Sequence, residues 1–167
     1  TNIDPDTEVE PISRQLKYLA LGDSYTIGES VCETCRFPEQ LKSGLESSYP
    51  NDIFLLKIIA TTGWTTTNLI TAINTQNPDS NYDLVTLLIG VNNQYQRKPF
   101  SIYEQEFPEL VATGIRLAKG YKSRLIVVSI PDYAYTPFGK RLGVATSAII
   151  SSDLEKYNTF AKNYCMD

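Results

Sequence analysis

Four short runs of branched and aromatic residues stand out from a more polar chain. They lie at 17–21, 52–60, 84–89 and 124–130. Each run is nearly continuous rather than alternating, which predicts strands that are buried on both faces. Apolar residues recur at helical spacing in four further segments, at 38–48, 65–75, 102–119 and 144–164. Strands that alternate with helices predict an α/β fold, with a parallel sheet between two helical layers. Pro108 should start or kink the third helix.

The beginning of the chain differs in composition from the remainder. Residues 1–15 mix Asp, Glu, Pro, Asn and Thr with only two isoleucines, which predicts a flexible linker ahead of a single domain at 16–167. The chain opens on Thr rather than Met, and two origins for that stay open. One is the removal of an export segment, with a periplasmic or secreted location in a bacterium. The other is a chosen boundary of the sequence.

Composition narrows the classes of partner. The 167 residues carry 15 basic and 19 acidic side chains, and a net charge of −4 gives no electrostatic reason to expect nucleic acid. The apolar runs fall short of the about 20 residues that a transmembrane helix needs. No cofactor is expected, and nothing in the sequence indicates an oligomeric state.

Three cysteines raise the question of a metal site or a disulfide. Cys32 and Cys35 are close in sequence, but the chain has no histidine and only Cys165 as a further thiol, so a zinc site lacks ligands. The pair follows Gly28 in an apparent loop, which does not favour a thioredoxin-like site. A local disulfide or two free thiols remain as alternatives.

Residues that could take part in catalysis follow three of the predicted strands. Ser24 follows the first strand, Gly63 the second and Asn92 the third. Ligands of open parallel sheets bind beyond the carboxyl ends of the strands, so these residues should converge if the strands are neighbours. Ser24 could attack a carbonyl, and the backbone N–H groups of Ser24 and Gly63 with the Asn92 amide could stabilise the resulting oxyanion.

These three segments resemble the sequence blocks of SGNH hydrolases, also called GDSL esterases and lipases. Gly22-Asp23-Ser24-Tyr25 matches block one, Gly63 matches block two, and Gly90-Val91-Asn92-Asn93 matches block three with Asn93 in place of the usual Asp. The resemblance implies a flavodoxin-like sheet of five parallel strands in the order 2-1-3-4-5. It also implies an esterase or lipase that acts on small acyl or acetyl esters through an acyl-serine intermediate.

The fourth block of the family, Asp-x-x-His, has no counterpart in the sequence. No residue of the chain is a histidine, and the resemblance implies that the catalytic acid and base lie beyond Asp167. As given, the chain should therefore be inactive. The fifth strand would be missing as well, which would leave the strand at 124–130 as an exposed apolar edge.

Other interpretations of these residues remain. Ser24 could cap the helix that follows it, and Asp23 is expected to be a structural hydrogen-bonding residue. Tyr25, Trp64 and Tyr95 could line an acyl pocket or simply pack. The loop at 131–138 could shape such a pocket or form a rigid turn.

Two other functional classes also stay open. One is a non-catalytic SGNH-like protein that binds ligands and lacks the base. The other is a flavodoxin-like phosphate or nucleotide binder, although the chain lacks a glycine-rich phosphate loop.

Overall fold

Residues 13–166, the part of the chain that the computed structural model describes, contain all four predicted strands and all four predicted helices. The elements are β1 (Gln15–Gly22), α1 (Ser24–Ile27), α2 (Phe37–Ser48), β2 (Ile53–Ala60), α3 (Thr66–Gln76), β3 (Leu84–Leu88), α4 (Val91–Tyr95), α5 (Phe100–Leu117), β4 (Leu125–Val127), α6 (Pro137–Lys140) and α7 (Val144–Met166). The short helices α1, α4 and α6 are additions to the sequence prediction.

The four strands form one parallel sheet in the order β2-β1-β3-β4. Gly22 at the end of β1 pairs in register with Ala60 of β2 and with Leu88 of β3, so three strands end at the same level. The predicted α/β class with a flavodoxin-like parallel sheet is confirmed. Within the described residues β4 is the outer strand on its side, and Ile126 is 48% exposed there.

The central strand confirms the prediction of burial on both faces, and the outer strand β2 contradicts it. Tyr18 to Leu21 of β1 are fully buried. In β2 the alternate residues Ile53, Leu55 and Lys57 are exposed. Alternate residues of a strand point to the same face, and that face of β2 is open to solvent.

Strand β4 ends three residues earlier than predicted because a side chain replaces its ladder. The carboxamide of Asn158, on α7, accepts from the backbone N–H of Ile130 at 2.7 Å and donates to its carbonyl at 3.0 Å. Both backbone groups of Ile130 are therefore satisfied without a neighbouring strand, as buried backbone requires. The last hydrogen bond of this segment to the sheet runs from the Val128 N–H to the Leu87 carbonyl at 2.9 Å.

Helices α5 and α7 pack together through an aromatic cluster. The cluster comprises Phe100, Tyr103, Phe107, Tyr157 and Phe160, with ring centroids 4.6 to 6.2 Å apart. Pro108 lies inside α5, eight residues after its first residue, so it does not start the helix. No described helix is both long enough and apolar enough to span a membrane.

Most of the predicted linker at 1–15 lies outside the described residues. Its end is structured, because Gln15 already begins β1 and the Arg14 guanidinium binds the Asp52 carboxylate, with Nε 3.0 Å from Oδ1. The hydrogen bonds and the charge of Arg14 hold the pKa of Asp52 below its usual value.

Two glycine substitutions should move stability in opposite directions. A Cβ at Gly22 would lie 2.0 Å from Thr26 Oγ1 and 2.5 Å from the Leu88 carbonyl oxygen, whereas a Cβ at Gly44 in α2 meets nothing within 4 Å. We expect Gly22→Ala to lower the free energy of unfolding by about 1–3 kcal/mol or more. Gly44→Ala, the matched control, should raise it by roughly 0.5–1 kcal/mol. Urea-induced unfolding measures both, and equal effects would contradict the close packing at Gly22.

Candidate active site

Ser24 is the first residue of α1, two residues beyond the end of β1. It is half-buried, and its hydroxyl makes no hydrogen bond to any other described residue. Its carbonyl accepts from the backbone N–H groups of Gly28 and Glu29, each at 3.0 Å, which fixes the backbone at this turn. The hydroxyl is thus left unengaged at the carboxyl edge of the sheet.

Asp23 is the residue that caps α1. Its Oδ1 accepts from the backbone N–H of Tyr25 at 3.0 Å. The capping role considered for Ser24 therefore belongs to its neighbour, and Asp23 has the structural hydrogen-bonding role expected for it. The sharp turn also explains Gly22, since a side chain there would collide with Thr26.

Gly63 lies in the loop between β2 and α3, three residues beyond Ala60. Its φ is +84°, a left-handed conformation that glycine adopts without strain, and a Cβ would meet no protein atom within 4 Å. Glycine is needed here for its backbone conformation. Thr65 then starts α3 through a capping box with Asn68.

Asn92 lies in α4, four residues beyond the end of β3, and contacts the loop that contains Gly63. Its Nδ2 donates to the Trp64 carbonyl at 2.9 Å. Gln96, which follows α4, donates from Nε2 to the Gly63 carbonyl at 2.9 Å. Two successive carbonyls of the loop are therefore bound by side chains at or just after α4.

A further contact links the loop of Gly63 to the segment that follows Ser24. Thr62 donates from Oγ1 to Glu29 Oε2 at 2.6 Å, and Glu29 is bound through its backbone to Ser24. A chain of hydrogen bonds thus joins the three strand ends that carry Ser24, Gly63 and Asn92. The sequence prediction did not include Thr62, Glu29 or Gln96, because exposed polar residues in loops carry no distinguishing pattern.

Asn93 fixes the same two loops from the interior. It is fully buried, its Oδ1 accepts from the Thr66 backbone N–H at 3.0 Å, and its Nδ2 donates to Thr66 Oγ1 at 2.7 Å. The single Thr66 hydroxyl proton then goes to the Glu106 carboxylate, which also accepts from Thr67 Oγ1 at 2.8 Å. The chain of donors runs in one direction, from Asn93 through Thr66 to Glu106, and requires a donor at position 93.

The Asp23 carboxyl is buried beside Ser24. Oδ2 has no hydrogen-bond partner among the described residues, and burial raises the pKa of Asp23 to about 7, although the Tyr25 N–H at Oδ1 acts in the opposite direction. A carboxyl with that pKa carries a proton in much of the population near neutral pH. It is therefore poorly suited to act as the permanent anion that orients a histidine.

The aromatic residues around this edge take mixed positions. Tyr25 and Trp64 are half-buried and pack against the core, whereas Tyr95 is exposed. Tyr133 donates to Gln94 Oε1 at 2.9 Å. The loop at 131–138 forms a short 3₁₀ turn, capped by Asp132, and then α6, capped by Thr136.

Cys32 and Cys35 form a disulfide in the loop between α1 and α2. Of the two alternatives for this pair, the local disulfide is therefore the one found. The third cysteine, Cys165, is an exposed free thiol at the end of α7. Among residues 13–166 there is no group of three or more Cys, Asp or Glu side chains arranged to bind a metal ion.

Sequence comparison identifies the family to which the chain is similar. The sequence profile of the GDSL-like lipase/acylhydrolase family matches residues 20–166. No curated protein matches the sequence.

Solved structures share the fold at low identity. The lipase Lip_vut3 from a goat rumen metagenome has a TM-score of 0.61 at 15% identity, over 85% of this chain and 73% of its own. AlinE4, an SGNH-hydrolase family esterase, has a TM-score of 0.55 at 20% identity, over 86% and 72%. Axe2, an acetylxylan esterase from Geobacillus stearothermophilus, has a TM-score of 0.54 at 17% identity, over 89% and 80%.

The direction of the Asn93 hydrogen-bond chain can be tested by reversing it. In Asn93→Asp two carboxylates would face the one Thr66 proton, and we expect a loss of about 1–3 kcal/mol in the free energy of unfolding. In the double variant Asn93→Asp/Glu106→Gln the new amide at position 106 can donate to Thr66, and Thr66 can donate to the new carboxylate at position 93. Most of the loss should then be recovered. A double-mutant cycle by urea unfolding measures the coupling.

The matched control replaces an exposed glutamate of the same helix. Glu109 lies on α5 and is exposed, so Asn93→Asp/Glu109→Gln should remain as unstable as Asn93→Asp alone. Equal recovery with Glu109→Gln would show that net charge, and not the direction of the hydrogen bonds, sets the effect.

Burial of Asp23 predicts a stability that falls as pH rises. Its folded pKa of about 7 lies above the ordinary value of 3.8, so the folded state holds the proton more tightly. The contribution is fully present below about pH 4, and it is lost as pH rises toward about 7. Asp23→Asn keeps a capping oxygen and should gain stability relative to the parent by a few kcal/mol across this window, with no further gain above it.

Urea unfolding measured from pH 4 to pH 8 is the readout for this prediction. The exposed Asp79→Asn is the control, since its side chain stands in solvent. If Asp23→Asn and the parent kept a constant difference over the whole range, the buried neutral carboxyl would be ruled out.

Proposed function

This chain belongs to the GDSL-like lipase/acylhydrolase family, a family of hydrolases, and we propose that it is a serine hydrolase of acyl or acetyl esters. Ser24 is the proposed nucleophile. The backbone N–H groups of Ser24 and Gly63 and the side-chain amide of Asn92 are the proposed oxyanion donors.

The hydrogen bond from Asn92 to the Trp64 carbonyl is the observation that carries the proposal. It joins the Asn92 amide to the loop whose neighbouring residue is Gly63. A primary amide has two N–H donors, so one remains for a substrate while the other orients the group. A donor that is fixed before charge develops stabilises a transition state without reorganisation, which is the main requirement of an oxyanion hole.

In the proposed reaction the Ser24 oxygen bonds to the ester carbonyl carbon, and the carbonyl oxygen becomes an anion. The three donors hold this anion as the alcohol leaves, and an acyl-serine forms. Water then attacks the acyl carbon and frees Ser24. The unengaged hydroxyl of Ser24 supports this role, since it need not break a hydrogen bond within the described residues before it attacks.

A base must take the Ser24 proton and give it to the leaving alcohol oxygen, then take a proton from the attacking water and return it to Ser24 as the carboxylic acid is released. The 167 residues include no histidine. We propose that this base is the histidine of the Asp-x-x-His block, which the family resemblance implies beyond Asp167. Asp23 does not fit the role, because its carboxyl is buried and is engaged as the cap of α1 through the Tyr25 N–H.

The test uses the product of the complete reading frame and p-nitrophenyl acetate as substrate. We expect Asn92→Ala to lower kcat by about 10²–10³-fold, the usual effect of removing one oxyanion donor, and Ser24→Ala to abolish turnover. Asn74→Ala is the matched control, because Asn74 is an exposed asparagine of α3. Turnover by Ser24→Ala at the parent rate would refute the nucleophile assignment.

One alternative is a non-catalytic member of the family that binds acylated or carbohydrate ligands at the same edge. Such a protein would bind without acylation. A fluorophosphonate probe distinguishes the two, since it phosphonylates an activated serine. Labelling of the complete protein at Ser24, lost in Ser24→Ala, supports the enzyme, whereas an unlabelled protein supports the binder.

A further inference from the structure

One surface of the molecule combines exposed apolar side chains with basic ones. It is built by residues 94–102 and 133–152, and we call it the basic apolar face. The two segments carry six exposed large apolar residues, of which Tyr135 lines a separate groove and the other five define the face, namely Tyr95, Phe138, Leu142, Val144 and Ile149. Val144 is 90% exposed and Ile149 is 63% exposed, which is far more than packing within the chain would leave.

The two segments of this face are in contact. The ring centroids of Tyr95 and Phe138 are 6.4 Å apart, and both rings also contact Tyr133. A groove of about 650 Å³ runs between α4 and α7, and its walls include Tyr95, Leu142 and Ile149. Tyr95 therefore connects the two segments, because it contacts Phe138 and shares the groove with Leu142 and Ile149, while Val144 stands out at the start of α7.

The charge of this face is opposite to that of the rest of the chain. The two segments contain Arg97, Lys98, Lys140 and Arg141 and no acidic residue. The remaining residues carry 11 basic against 19 acidic side chains. In the groove Lys156 is accompanied by Asp153, so that pair adds no net charge. A chain with a net charge of −4 thus has four basic residues and no acidic one in the two segments that carry these exposed apolar side chains.

We propose that the basic apolar face docks on an anionic lipid surface. Apolar side chains that stand out singly, as Val144 does, can enter the acyl boundary of a bilayer, which needs no shaped pocket to receive them. Basic residues beside them are attracted to anionic headgroups. A neutral lipid surface would not attract the basic residues of this face, so their charge favours an anionic one.

The position of the face relates docking to the candidate site. Helix α4 carries both Asn92, at the carboxyl edge of the sheet, and Tyr95, on the basic apolar face. Docking through this face would hold the carboxyl edge beside the lipid. The docking itself does not depend on hydrolysis, so it can be tested in a protein without the Ser24 hydroxyl.

The experiment measures co-sedimentation of the Ser24→Ala protein with vesicles. We expect binding to vesicles of equal parts phosphatidylcholine and phosphatidylglycerol, weak binding to phosphatidylcholine alone, and a decrease with added salt. Lys140→Gln/Arg141→Gln should weaken partitioning roughly tenfold or more, from the attraction of two basic residues. Val144→Ser/Ile149→Ser should weaken it as well, because the inserted apolar area is lost.

Matched controls remove the same groups elsewhere. Lys57→Gln/Lys122→Gln takes two exposed basic residues from other elements, and Val31→Ser takes an exposed valine from the loop after α1. Both should bind as the parent does. Equal loss in the controls, or no preference for the anionic vesicles, would overturn the proposal.

Light scattering distinguishes the competing occupant of this face, a second copy of the chain. A dimer that Val144→Ser/Ile149→Ser dissociates, together with an absence of vesicle binding, would replace the lipid proposal with self-association. Vesicle binding by a protein that fails the esterase test would leave the docking proposal intact and reject only the proposed function.

Discussion

Hydrogen bonds from α4 and the residue that follows it to the loop after β2 hold the carboxyl edge of the sheet together. Parallel pairing brings the ends of β1, β2 and β3 to one level, but it leaves the loops beyond them free to diverge. Asn92 and Gln96 donate to the carbonyls of Trp64 and Gly63, and Asn93 binds the backbone N–H and the hydroxyl oxygen of Thr66. The geometry on which the proposed oxyanion hole depends is therefore set by side chains from a neighbouring strand end.

This arrangement requires buried polar groups, which differ in whether all their polar atoms have hydrogen-bond partners. Asn93 and Thr66 are fully buried and hydrogen-bonded to each other, which offsets the cost of removing them from water. Asp23 lies directly before Ser24 with one carboxyl oxygen unpartnered among the described residues. Groups kept in unfavourable surroundings are common at functional sites, where stability gives way to the geometry of a reactive side chain.

Features that are set by residues close in sequence could be predicted, whereas features that are set by contacts between distant residues could not. Continuous apolar runs predicted the strands and the α/β class, because burial of the central strand leaves little room for polar residues. The exposed alternate residues of β2 and the end of β4 depended on neighbours distant in sequence, Asn158 among them. Helices α1, α4 and α6 have four or five residues, too few to show a period. The link between Asn93, Thr66 and Glu106 joins three separate elements and leaves no local pattern.

The carboxamide of Asn158 has a consequence for the outer side of β4. An open strand edge invites pairing with other chains, and long flat edges are templates for cross-β stacking. Because Asn158 binds the N–H and the carbonyl of Ile130 where β4 would otherwise continue beside β3, the outer strand is only three residues long, and an incoming strand meets few free backbone groups on its outer side. A single side-chain amide thereby shortens the exposed edge from which fibril-like growth could propagate.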